Sequence, residues 1–192
     1  MKKISKVLVF VLAFVTFATL ESNAQKVTKE QAQVELENGL IKFVNAVRPA
    51  YTTTKGMNLQ KFKLTLVGKS NAENITPQGN ALIAKAFTLI SNGSSEEVIK
   101  KEGLNDFVAA TKYMVEYNQS NKLEIASDKG CIALFGGNVD ELAQSFPTPE
   151  GQTYRVAEKC RWYQVGCHLR NFWAWLGTIT PGDVIEVLSW FL

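Results

Sequence analysis

The sequence is poor in the residues on which most side-chain chemistry depends. It holds one histidine, His168, and three cysteines, Cys131, Cys160 and Cys167. A single imidazole leaves little room for a Ser/His or Cys/His nucleophile pair, and the adjacency of Cys167 and His168 does not by itself create catalytic geometry. There is no G-x-S-x-G elbow and no H-E-x-x-H pair. Gly68-Lys69-Ser70 matches only the end of a phosphate-binding loop, because position 63 is lysine where that loop needs glycine. The acid pairs Glu96-Glu97 and Asp140-Glu141 stand where helix starts favour negative charge, so capping and solvation account for them. No activity is assigned on this basis, and the balance is against an enzyme.

An excess of charge of one sign is also lacking. Lys plus Arg number 21 and Asp plus Glu 18, a net charge of +3. Part of that excess sits in the first 24 residues. Lys2, Lys3 and Lys6 precede the uncharged apolar run Val7 to Leu20, and Ser22-Asn23-Ala24 follow as a small-residue cleavage pattern. This order is that of a secretory signal peptide of bacterial type, with cleavage expected between Ala24 and Gln25. The run is shorter than the ~20 residues a bilayer span requires, so no membrane anchor is expected in the mature chain. Removing residues 1–24 takes away three lysines and Glu21, which leaves 18 positive and 17 negative residues, or +1. A near-neutral chain has little long-range pull on polyanions, which disfavours nucleic acid as a partner. The expected location is the periplasm or the extracellular space.

An exported chain changes the reading of its cysteines. Cys160 and Cys167 are expected to form a disulfide, since close cysteines in an oxidising compartment usually pair. Cys131 is then the odd thiol, a small buried core residue or a competing partner for one of the other two. Cys131, Cys160, Cys167 and His168 make a nominal zinc set, but their spacing matches no zinc ribbon; neither a metal nor another cofactor is expected.

What the chain does have is helical periodicity. Thr28 and Gln31 show capping-box spacing, and Leu36, Leu40, Phe43, Val44 and Val47 share one helical face, so the spacing predicts a helix from 28 to 47, ended by Arg48-Pro49. Residues 58–67 read as a short helix with Asn58 as N-cap, although Phe62, Leu64 and Leu66 also alternate as in a strand. Thr76-Pro77 is a strong helix start, Leu82, Ile83, Ala86, Phe87 and Ile90 carry its face, and Asn92-Gly93 stops it. Ser94 and Glu97 predict a further cap and a short helix interrupted by Gly103. A helix then continues from Asn105 to Tyr117 with Phe107, Val108, Thr111, Met114 and Val115 inward, before a polar break at 118–121. Residues 122–135 are open between a small β-hairpin and a packed loop. Asn138 is a candidate cap for a turn of helix through Phe146.

The fold class that follows is mainly α. A small, bundle-like helical domain spans residues 25–146, the Pro/Gly-containing stretch 147–151 is a hinge, and residues 152–192 form a Cys/Trp-rich helical subdomain packed on it. All four tryptophans lie beyond residue 160. Trp162, Tyr163, Phe172, Trp173 and Trp175 are flanked by Arg161 and Arg170, and Thr180-Pro181 precedes a last apolar piece from Val184 to Leu192. Two readings of these aromatics compete. They close the core against the preceding helices, or they dock a protein partner or a lipid surface, where Trp rings and cations suit the headgroup level. The functional expectation is a secreted, non-enzymatic interaction protein that docks through this region. The alternatives are a membrane-active, bacteriocin-like toxin precursor with its active part in 152–192, and a small secreted hydrolase using carboxylates.

Overall fold

The computed structural model describes residues 27–52, 56–137 and 170–192, with the side chains of Thr52, Arg170, Asn171 and Trp173 not included. The secondary structure among these residues is helical, in eight segments. Helix α1 is Lys29–Thr52, α2 Leu59–Val67, α3 Lys69–Ala72, α4 Pro77–Ser91, α5 Glu96–Ser120, α6 Asp128–Leu134, α7 Arg170–Leu176 and α8 Val184–Ser189.

Most helix starts are those the sequence encodes. The Thr28 amide donates to Gln31 Oε1 at 3.1 Å and the Gln31 amide to Thr28 Oγ1 at 3.2 Å, the two arms of a capping box. Asn58 Oδ1 accepts from the Lys61 amide at 2.9 Å and starts α2 as a helix, not a strand. Thr76 caps α4 by accepting from the Gly79 amide at 3.1 Å, with Pro77 in the first turn. Asn92 caps the other end, and Gly93 follows in the left-handed region at φ 63°.

Several boundaries differ from expectation, and at Pro49 and Gly103 packing overrides a local signal. Helix α1 runs through Pro49 to Thr52. A proline removes one backbone donor and crowds the preceding turn, but here it falls in the last turns, and Ala50 beyond it is buried. Tyr51 meets Phe62 and Phe87, with ring centroids 6.4 and 5.7 Å away, so the extra turn is held by the core. The cap of α5 is Ser95 rather than Ser94, with its side chain accepting from the Val98 amide at 3.4 Å. Gly103 does not interrupt α5, which is continuous over 25 residues. A Cβ at 103 would lie 3.1 Å from Leu40 Cδ2 and 3.3 Å from Leu89 Cδ1, so this glycine lets three helices approach closely.

Residues 122–135, open in the sequence between a hairpin and a packed loop, form a turn and a helix. Asn121 caps α5, Lys122 takes a left-handed conformation at φ 56°, and the Leu123 amide donates to the Asn118 carbonyl at 2.8 Å. Ser127 then caps α6, and Gly130 and Cys131 turn inward. The physical reason lies in Asn118, fully buried on α5. Its Nδ2 donates to the carbonyls of Ile125 and Ser127, both at 2.9 Å, and so satisfies acceptors that a hairpin would have paired across strands.

Helices α4 and α5 form an antiparallel hairpin, with Lys85 and Asp106 3.9 Å apart across it. Helix α1 lies against both, α2 packs on α1 and α4, and α6 packs on α5. The Thr76 amide and hydroxyl both donate to the Leu134 carbonyl, at 3.1 and 3.0 Å, which ties the start of α4 to the end of α6. The helical faces read from the sequence point inward: Leu36, Leu40, Phe43, Val44 and Val47 of α1, and Phe107, Val108, Thr111, Met114 and Val115 of α5, are buried. The C-terminal segment closes the same core. Helix α7 packs on α1 and α8 on α5, and Phe172, Leu176, Ile179, Val184, Val187 and Leu188 are buried in one apolar cluster with the other helices.

Candidate functional site

The aromatic C-terminal region divides into an inward and an outward set, and backbone periodicity makes the division. In α7, Phe172 and Leu176 are four residues apart and share the buried face. Phe172 stands 5.2 Å from Phe107, which in turn meets Phe43 at 6.4 Å, so a phenylalanine column runs from the C-terminal segment into the centre of the domain. Phe172 is therefore a core residue, and its burial to 1% exposure removes it from any docking surface in this state.

Trp175 is half-buried and packed against the core, with its ring 5.8 Å from Phe172. Trp190 and Phe191 are half-buried at the end of α8, Ile185 lies on its flank, and Leu192 is 61% exposed. Lys29, in the first turn of α1, places its ammonium 5.6 Å from the Phe191 ring centroid. Neither Phe191 nor Lys29 was singled out as a pair by sequence, since 162 positions separate them and no local pattern links the two ends. Asp183 and Glu186 are exposed on the same segment, and the Thr180 hydroxyl donates to the Asp183 carboxylate. Gln119 Nε2 donates to the Pro181 carbonyl at 2.8 Å.

The other expected site residues fall elsewhere. Arg161, Trp162 and Tyr163, the Cys160–Cys167 bridge, His168, the 147–151 hinge and the signal peptide lie outside the described residues, as do the side chains of Arg170 and Trp173. Cys131 is a free, buried thiol. Burial, reinforced by the Asp128 carboxylate, pushes its pKa up to about 12. The thiolate is the reactive form, so native Cys131 is inert. Iodoacetamide at pH 8 is expected to leave the peptide containing Cys131 unlabelled, and labelling should appear only when urea unfolds the chain; mass spectrometry of that peptide reads the outcome. Native labelling at the rate of a free thiol would contradict this burial.

Other candidate chemistry resolves into structure. Gly68 of the partial phosphate-loop match is the joint between α2 and α3, with φ 79° and its amide on the Leu64 carbonyl at 2.9 Å. Glu96 and Glu97 occupy the first turn of α5, where the helix dipole stabilises them. Among the described residues, no group of three or more His, Cys, Asp and Glu is placed to hold a metal ion. No helix among them is long and apolar enough to cross a membrane.

Three features carry the geometry of the region and escaped pattern reading. They are the buried Asn118, the close approach at Gly39, where a Cβ would stand 2.8 Å from Phe172 Cδ2, and the Lys29–Phe191 contact. A polar residue in the 118–121 stretch signalled a break, and only its contacts show it as a clamp. No protein-family model matches the chain, and no curated protein or solved structure is significantly similar to it.

Proposed function

We propose that the chain is an exported, non-enzymatic interaction protein that docks on a lipid surface through its aromatic C-terminal region. The observation that carries this reading is the outward set at the end of the fold. Trp175, Trp190 and Phe191 are each partly buried against the core and partly accessible, Leu192 is exposed, and Lys29 lies over Phe191. Rings of this kind suit the boundary between headgroups and acyl chains, with a cation alongside. Export rests on the order of charge, apolar run and small residues in positions 1–24. A helical body with a well-filled core then serves as the rigid carrier of the aromatic end.

The near balance of charge assigns the attraction mainly to aromatic and apolar burial. Asp183 and Glu186, exposed on the same segment, oppose any strong pull towards anionic lipid. The test uses the full mature chain and vesicles of mixed phosphatidylcholine and phosphatidylglycerol. All four tryptophans lie beyond residue 160, so their emission reports on this region alone. A blue shift that grows with lipid, and that changes little when salt is raised, is the expected result. Unchanged emission together with no co-sedimentation of the protein with vesicles would overturn lipid docking.

A further inference from the structure

We propose that residues 170–192 form a latched strap, which opens as a unit while α1 to α6 stay folded, with Phe172 seated on Gly39 as the latch. Helices α7 and α8 have seven and six residues. Isolated helices shorter than about 12–15 residues are marginal in water, so these two are helical because they lie on α1 and α5. Helix α8 also begins without a side-chain cap, since Asp183 makes no capping hydrogen bond. Its carboxylate is instead engaged by the Thr180 hydroxyl.

The seat is specific. Helix α1 has no side chain at Gly39, and a Cβ built there would stand 2.8 Å from Phe172 Cδ2 and 3.0 Å from Phe107 Cζ. The Phe172 ring thus rests on bare backbone beside the Phe107 ring. Among the described residues, two ties from the strap to the body lie at the periphery: the Gln119 bond to Pro181 is exposed, and the Lys29 contact with Phe191 lies at the rim. Such contacts contribute little when water competes for them. Phe62, Leu82, Ile83 and Leu89, in contrast, are buried on α2 and α4, which pack on α1, on α5 and on each other. Segments held by one apolar face open at lower free energy than the core they cover.

Opening changes which surface the protein presents. It joins the inward set Phe172, Leu176, Val184 and Leu188 to the outward set Trp175, Trp190 and Phe191, giving a segment apolar on both sides. That consequence for docking rests on the lipid reading, whereas the latch itself does not.

Native-state hydrogen exchange on the full mature chain, without vesicles, tests the latch. In the wild type, amides of α8 and the end of α7 are expected to exchange at least about tenfold faster than those of α4, through an opening that depends only weakly on urea. Phe172→Ala should speed the strap amides by about a further hundredfold or more and leave the α4 amides unchanged. The latch is overturned if strap and α4 amides exchange together with one urea slope, or if Phe172→Ala moves both equally. Should that variant fail to fold, the wild-type urea slopes decide alone. Vesicle binding plays no part in this measurement, so failure of the lipid reading and failure of the latch are told apart.

Discussion

Replacing Phe107 by alanine is expected to lower the free energy of unfolding by about 3–5 kcal/mol, the range for truncating a large buried aromatic side chain. Phe107 is 1% exposed and sits where three parts of the chain meet. Its ring faces Phe43 of α1, Phe172 of the C-terminal segment and the bare backbone of Gly39. Neighbouring helices cannot collapse fully into the space left behind, because close packing of Leu40 and Leu89 against Gly103 already fixes the spacing of α1, α4 and α5. Urea denaturation followed by far-UV circular dichroism measures the loss, with the midpoint falling at nearly constant slope. A cost below about 1 kcal/mol would show that the phenylalanine column does not organise the core.

The second large effect is expected at Asn118. This residue is fully buried, and its amide nitrogen is the donor for the Ile125 and Ser127 carbonyls. Asn118→Ala leaves two acceptors without that donor, at roughly 1–3 kcal/mol for each one that water does not reach, so a total of about 2–6 kcal/mol is expected. Asn118→Asp should be worse at neutral pH, because a carboxylate would then face two carbonyl oxygens in a dry site. The amide oxygen of Asn118 already has no hydrogen-bond partner, so no donor awaits a negative charge there. The aspartate pKa is raised in the folded state for this reason. With a raised folded value, the unfolded chain releases the proton first as pH climbs, and stability falls. Asn118→Asp is therefore expected to be most stable below about pH 4, the ordinary carboxylate value, and to lose stability as pH rises above it. Thermal unfolding from pH 4 to pH 7, compared with Asn118→Ala, reads the effect, and a flat difference between the variants would contradict it. Acid lability of the wild type is cancelled by that comparison.

These two residues mark the limits of pattern reading in this chain. Phe107 was legible, because a 3.6-residue period places Phe107, Val108, Thr111, Met114 and Val115 on one face whatever the partner. Asn118 was not, because a polar residue after such a face signals an end to the helix in every local reading. Its burial depends on α6 folding back over the end of α5. The same contrast holds for glycine and proline. Asn92-Gly93 stops a helix by its own conformational preference, and it does so here. Gly103 and Pro49 have preferences of the same kind, yet α5 and α1 pass through them, because Leu40 and Leu89 pack on the first and Tyr51 is anchored beyond the second. Periodicity favoured core packing for the C-terminal aromatics and left docking open. Among the described residues, the structure sends Phe172 into the core and leaves Trp175, Trp190 and Phe191 at its edge.

By itself, the sequence determined the helical class, the starts at Thr28, Asn58 and Thr76, and the inward faces of the long helices. These follow from interactions within four residues, hydrogen bonds to the next turn and the recurrence of apolar side chains, which the chain carries wherever it goes. The tertiary structure alone decided that Gly39 receives Phe172, that Asn118 clamps the turn into α6, and that Lys29 meets Phe191. Each joins residues from separate elements, and its energy exists only once those elements are in contact, so no local pattern in either segment encodes it.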